Sequence, residues 1–134
     1  MVTIRKGKNF PAMNHNGTCD PFINLSLFPD PQKKYKFKTQ IKYKTNNPIF
    51  DEPFHFLGIT EQDMQRKNVI LTAFDYENVN KNQYIGEIHI ALKKVNQELR
   101  VPRWIPLRKK TGNSKFFNFF NFFIYHTFIM LITI

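Results

Sequence analysis

Apolar and polar residues alternate along most of the first hundred positions, and the alternation has a period of two. From Phe22 to Phe28, Ile23, Leu25 and Leu27 fall on one side of an extended chain, and Phe22, Asn24, Ser26 and Phe28 on the other. Successive side chains of a strand point to opposite faces, so this pattern predicts a strand with one buried face. The stretch from Lys33 to Pro48 alternates longest. Tyr35, Phe37, Thr39, Ile41 and Tyr43 share one side, and Lys34, Lys36, Lys38, Gln40, Lys42 and Lys44 the other. It predicts one strand whose outward face carries five lysines and no acid. Further strands are predicted at Val2 to Arg5, at Ile49 to Leu57 with a bend at Pro53, at the strongly apolar Asn68 to Tyr76, at Tyr84 to Leu92 around Gly86, and at Arg103 to Leu107. Turn formers separate them at Asn14 to Asp20, Pro29-Asp30-Pro31, Asn46-Asn47-Pro48 and Glu77 to Gln83. Glu61 to Lys67 is a polar connection with room for one helical turn. Short strands at this spacing predict an all-β sandwich or barrel.

The charge balance sharpens the picture. The chain has 134 residues, enough for one domain with a real core, and 20 Lys and Arg against 10 Asp and Glu, a formal charge of +10. A cationic strip on a rigid sheet suits an anionic surface such as lipid headgroups or a nucleic-acid backbone. Stacking on nucleic acid needs aromatic and basic side chains on one face. Here Tyr35, Phe37 and Tyr43 alternate with the lysines, so no nucleic-acid partner is expected. A protein-interaction module that docks acidic partners on the lysine face is the alternative.

Catalytic chemistry finds no pattern. His15, His55, His89 and His126 are scattered, and no phosphate-cradling glycine loop, HExxH or CxxC is present. Cys19 has no base at a recognised spacing, so the chain is not read as an enzyme. A single cysteine rules out an intrachain disulfide and fits a reducing compartment. The first ten residues hold no apolar run, so they do not form a secretory signal.

Composition changes abruptly near Lys115. No Lys, Arg, Asp or Glu follows it, and 14 of the 19 residues from Phe116 to Ile134 are Phe, Tyr, Ile, Leu or Met. The expected division is a folded unit at 1–111, a linker at 112–115 and a hydrophobic tail at 116–134. Nineteen helical residues would span about 28 Å, close to the roughly 30 Å hydrocarbon core. Lys109, Lys110 and Lys115 precede the tail as they would a membrane anchor. Its low-complexity Phe-Asn run reads equally as a terminus foreign to the domain, and packing of the tail onto the sandwich is the third reading.

Several motifs together resemble one family. In order they are Met13-Asn14-x-x-Gly17-x-x-Asp20-Pro21-Phe22, Leu27-x-Pro29-Asp30, Lys36-x-Lys38-Thr39, Asn47-Pro48-x-Phe50-x-Glu52-x-Phe54-x-Phe56, Phe74-Asp75-Tyr76-Glu77 and Ile85-Gly86. This series resembles a C2 domain. Gly58 to Lys67 is similar to the corresponding segment of the rabphilin and double-C2 vesicle-trafficking group, and Trp104-Ile105-Pro106-Leu107 resembles the closing strand of synaptotagmin-like modules. The resemblance implies an eight-stranded antiparallel Greek-key sandwich, of which this chain would lack the first strand. It also implies a cytoplasmic, non-enzymatic module, peripheral on membranes or vesicles, in trafficking and exocytosis. Membrane anchorage would follow if the tail is genuine. Acidic phospholipids, among them phosphatidylinositol 4,5-bisphosphate, and trafficking proteins are its implied partners.

The resemblance also implies site residues. A lipid-binding face would comprise Lys34, Lys36, Lys38, Lys42 and Lys44 with Phe22, Asn24, Phe74 and Asn82. Calcium ligands would stand at Asn14, Asp20, Asp75, Glu77 and Gln83. Calcium takes 6–8 oxygens, and carboxylate count tunes its affinity. Amides at Asn14 and Gln83 remove two negative charges, and Glu77 stands where Asp is usual. The expected site, Asp20, Asp75 and Glu77, is degenerate and binds calcium weakly if at all.

Overall fold

The computed structural model describes residues 1–94, 103–109 and 120–125. In chain order the elements are β1 (Val2–Lys8), β2 (Pro21–Phe28), β3 (Lys36–Lys38), β4 (Ile49–Phe54), α1 (Glu61–Arg66), β5 (Asn68–Asp75), β6 (Gln83–Ala91), β7 (Arg103–Leu107) and β8 (Phe120–Tyr125). They form two four-stranded sheets, in the orders β4-β1-β8-β7 and β3-β2-β5-β6. Every paired neighbour is antiparallel.

The core follows from the alternation. β2 buries Ile23, Leu25 and Leu27, and β5 buries Val69, Leu71 and Ala73. In register these pair as Ile23 with Ala73, Leu25 with Leu71 and Leu27 with Val69. Val2 and Ile4 of β1, Phe54 of β4 and Leu107 of β7 join the same cluster. Phe56, Ile59 and Met64, between β4 and β5, complete it. Removing these apolar surfaces from water supplies the main folding drive, at about 25 cal/mol per Å².

Helix α1 is short and is set by its ends. Thr60 Oγ1 accepts from Asp63 N at 3.1 Å, and Asp63 Oδ2 accepts from Thr60 N at 3.1 Å. This capping box satisfies two of the donors that a helix start leaves open. Glu61 and Asp63 lie in the first turn, where the helix dipole favours negative charge. Met64 pins the helix to the core.

The lysine stretch is not one strand. β3 covers only Lys36–Lys38. Tyr35 and Thr39 are buried as expected, but Tyr43 is 63% exposed. The register ends at Thr39, whose Oγ1 accepts from Ile23 N at 2.9 Å while its own N donates to Ile23 O at 2.9 Å. Beyond it the backbone turns to side-chain acceptors: Gln40 N donates to the Glu52 carboxylate, and Lys44 N to Asp20 Oδ1 at 2.7 Å. Lys44 itself has φ of 51°, which no strand allows. The period of two therefore stops where side-chain bonds to other segments replace the ladder.

Part of the tail follows the third of its readings, packing onto the sandwich. Residues 120–125 form a strand, not a helix, and it stands inside a sheet between β1 and β7. Ile124 lies opposite Ile4 on one side and Arg103 on the other. The sandwich thus has eight strands among the described residues, one of them drawn from the segment set apart as a tail. No helix among the described residues is long and apolar enough to cross a membrane. The linker at 112–115 and the rest of the tail lie outside the described residues.

Candidate functional site

The outward face of the β3-β2-β5-β6 sheet carries rows of side chains, three of them at the site, because residues paired across antiparallel strands share a face. One row runs Lys38, Asn24, Thr72, Glu87, and the next Lys36, Ser26, Ile70, His89. The third is aromatic, with Phe22, Phe74 and Tyr84 in register. Phe22 stacks on Phe74 with centroids 5.6 Å apart and planes at 20°, and Phe74 meets Tyr84 at 6.2 Å. The Lys38 ammonium lies 4.5 Å from the centre of the Phe22 ring, a cation–π distance. The Phe22 ring is buried although it faces outward, with the Lys38 ammonium above it and the Phe74 ring beside it.

The face holds fewer lysines than the sequence suggested, and it holds an acid. Lys36 and Lys38 are brought together there with Phe22, Asn24 and Phe74. Lys34 lies off β3; its ammonium sits 5.2 Å from the Tyr35 ring centre and 3.3 Å from where a Cβ on Gly58 would stand. Lys42 is half-buried and donates its backbone N–H to Pro21 O at 3.0 Å, while Lys44 lines a loop cleft. Asn82 is not on the sheet, since its Oδ1 accepts from Glu77 N at 2.9 Å and closes the loop ahead of β6. Glu87 Oε1 stands 2.9 Å from His89 Nε2, so the cationic face includes this pair on its far strand. Tyr84, Glu87 and His89 escaped the sequence reading. Extending the alternation of β2 across the sheet would have found Tyr84, but the irregularity between Ala73 and Phe74 shifts the register of β6.

At one end the segments before β2, before β4 and before β6 converge on a cleft of about 500 Å³. Asp20 lines it, with Oδ1 accepting from Lys44 N at 2.7 Å and Oδ2 from Asn14 Nδ2 at 3.4 Å. Asp75 lies behind it, fully buried, and its Oδ1 accepts from Asp20 N at 2.7 Å. Asp75 Oδ2 has no partner among the described residues. Burial pushes the Asp75 carboxyl above its ordinary range; the Asp20 N–H opposes the shift, and the Asp20 charge adds to it. Burial, with Asp75 and Asp20 nearby, also pushes the Cys19 thiol up to about 12, and its Sγ donates to Thr45 O at 3.4 Å. Cys19 is thus a packing residue rather than a thiolate nucleophile.

The calcium ligands implied by the resemblance are only partly assembled. Asp20 and Glu77 line the cleft, and Asn14 lies beside them. Gln83 opens β6 as an exposed residue paired with Asp75. The unpartnered oxygen of Asp75 is an atom that a cation would satisfy. The Asp20 oxygens, however, already face N–H donors, and Asn14 presents its amide NH₂ to them. Among the described residues no group of three His, Cys, Asp or Glu stands close enough to hold a metal ion. This donor set does not fit the several ions of a fully acidic loop cluster. The cleft also contains two aromatic walls: Tyr43 and Tyr76 have centroids 6.1 Å apart and planes at 89°.

The two antiparallel sheets, with loops gathered at one end, define a β-sandwich of the C2 type. The C2 domain family model matches residues 1–107, and the chain belongs to that family. It is 32% identical over 113 residues to Synaptotagmin 1 of Drosophila melanogaster, a match that covers 84% of this chain and 23% of that protein. It is 36% identical over 113 residues to human Synaptotagmin-7, covering 84% and 28%. The chain therefore spans about a quarter of the length of the curated relatives it matches. Among solved structures, a C2 domain of a plant extended synaptotagmin 1 superposes with a TM-score of 0.72 at 24% identity, over 92% of this chain and 87% of that one. A C2 domain of Drosophila RIM does so with a TM-score of 0.64 at 24% identity, over 69% and 74%. At this identity the structural likeness bears on the fold alone.

Proposed function

We propose that this C2 domain docks onto acidic phospholipid membranes through the β3-β2-β5-β6 face, as a peripheral cytoplasmic module of vesicle trafficking and exocytosis. The observation that carries the reading is the pairing of Lys36 and Lys38 with the aromatic row. Two lysines of β3 share the face with a ring ladder, and the Lys38 ammonium is already held over one ring. A phosphoinositide such as phosphatidylinositol 4,5-bisphosphate offers the clustered negative charge that such a pair attracts. The likeness to synaptotagmins supports the trafficking assignment. Calcium contributes weakly or not at all in this reading, because amides stand at Asn14 and Gln83.

Liposome co-sedimentation tests it. Wild type should bind vesicles containing acidic lipid in EGTA, and raised salt should release it, since charge is screened over about 8 Å at physiological ionic strength. Lys36→Ala/Lys38→Ala should weaken binding by about 2 kcal/mol, roughly thirtyfold. Undiminished binding of that variant would remove the sheet face as the docking surface. A large gain in binding on adding micromolar calcium would remove the calcium-independent part of the reading.

A further inference from the structure

β6 stands at the edge of its sheet, and the reason that edge stays open lies in β7. Leu92 N donates to Lys67 O, so alternate residues counted back from Leu92 turn their backbone groups to β5. Glu87, His89 and Ala91 turn theirs away from it. Glu87 uses them: its N donates to Arg108 O at 2.8 Å, and its O accepts from Arg108 N at 3.0 Å. That antiparallel bridge is isolated. Its next rung would set His89 opposite Pro106, which has no N–H to give. The ladder between the two sheets therefore stops where it starts. Beyond it the edges part around a groove of about 400 Å³. Ile88, Ile90, Ile105 and Pro106 line it, and Ile90 and Ile105 are half-buried against the core. No backbone partner beyond β5 for His89 or Ala91 stands among the described residues.

We propose that this groove takes up an extended acidic peptide, which adds a strand to β6 and bonds the outward backbone groups of His89 and Ala91. A bare strand edge is a template for another strand, and a partner that completes it satisfies the groups the edge leaves open. An extended peptide also turns alternate side chains inward, where Ile88, Ile90 and Ile105 offer apolar contact. Charge selects its sequence. Arg108 and Lys109 line the groove at the end where the bridge closes it. Lys93 and Lys94 are exposed just past the other end of β6. Glu87 lines the groove too, but its Oε1 is engaged by His89 Nε2 at 2.9 Å. The peptide that fits is therefore apolar at alternate positions in its centre and acidic at both ends. β6 and β3 are opposite edges of one sheet, so this site lies away from Lys36 and Lys38 and does not depend on the acidic-lipid reading.

The experiment is an NMR titration of the full chain with the peptide Glu-Glu-Val-Thr-Val-Thr-Val-Glu-Glu, blocked at both termini. Saturable shifts along β6 and β7 are expected. The same peptide N-methylated through its apolar centre keeps its side chains and loses its strand donors, so it should bind about tenfold more weakly. His89→Pro removes a backbone N–H that points away from β5, and should weaken binding of the unmodified peptide about tenfold. His89→Ala keeps that N–H and should bind nearly as well as wild type. Arg108→Glu/Lys109→Glu should also weaken binding, and a peptide with Lys in place of each Glu should not bind. Lys36→Ala/Lys38→Ala should leave the titration unchanged, which separates this proposal from the acidic-lipid reading. Equal binding of the N-methylated peptide, wild-type affinity in a folded His89→Pro, or loss of binding in Lys36→Ala/Lys38→Ala would each overturn the proposal. So would a dimer of the chain, seen by gel filtration, that occupies this edge and that the peptide does not dissociate. If His89→Pro does not fold, the N-methylated peptide decides the matter alone.

Discussion

Asp75 shows how one residue can be legible in type and not in state. Its place in Phe74-Asp75-Tyr76-Glu77 marked it as a ligand position, but not that its second oxygen would be buried without a partner among the described residues. Because burial raises its carboxyl above the ordinary value of 3.8, folding favours the protonated form. The stability it lends is fully present below about 3.8 and is lost as pH rises through the raised value. Asp75→Asn keeps the oxygen that accepts from Asp20 N and removes the charge. In EGTA, its urea midpoint relative to wild type should therefore improve as pH rises above about 3.8 and level off once Asp75 of the folded wild type is ionised. A relative midpoint that falls over that range would show that the ionised carboxylate is favoured by its surroundings. The lysines tell a similar story. Their types and alternation were plain, yet the positions of Lys34, Lys42 and Lys44 depend on Gly58, Pro21 and Asp20, which lie elsewhere in the chain.

Elements bounded by local bonds were read more faithfully than elements bounded by neighbours. The turn at Glu61–Arg66 was expected from its polarity, and Thr60 with Asp63 explains why it starts where it does. Thr60→Ala should lower stability by about 1 kcal/mol, through loss of the side-chain acceptor for Asp63 N. Chemical denaturation checks this, and an unchanged midpoint would mean that Met64 packing alone holds α1. The backbone N–H of Thr60 is also the main reason why the Asp63 carboxyl lies below its ordinary value, so this contribution fades as pH falls. β3 ended early because Thr39 turned its hydroxyl to Ile23 N, a bond between segments that alternation does not register. Gly86 has a comparable cause. A Cβ there would stand 3.2 Å from Leu107 Cβ and 3.3 Å from Arg108 O, where β6 and β7 approach and Glu87 exchanges backbone bonds with Arg108.

On the scale of the whole molecule, the decisive element is β8. It lies between β1 and β7, so its backbone pairs on both sides. Ile124→Pro should cost about 3 kcal/mol or more, since proline removes a ladder donor from a central strand. Deleting residues 116–134 should do at least as much and leave the edges of β1 and β7 open to association. Urea unfolding and gel filtration measure both effects. Full stability and a monomeric elution in the two variants would show that β8 contributes nothing to the sheet. The sequence by itself determined most strands of residues 1–107, the inward and outward faces of β2, the C2 family and the residue types of both sites. Alternation, turn formers and motif order are local properties, and each element records them. Only the tertiary structure decided that Lys36 and Lys38 stand by an aromatic row, that Tyr43 meets Tyr76 across a cleft, and that the apolar tail supplies a strand. Those facts are pairings between distant segments, such as Thr3 with Tyr125, and they exist only once both partners give up water for each other.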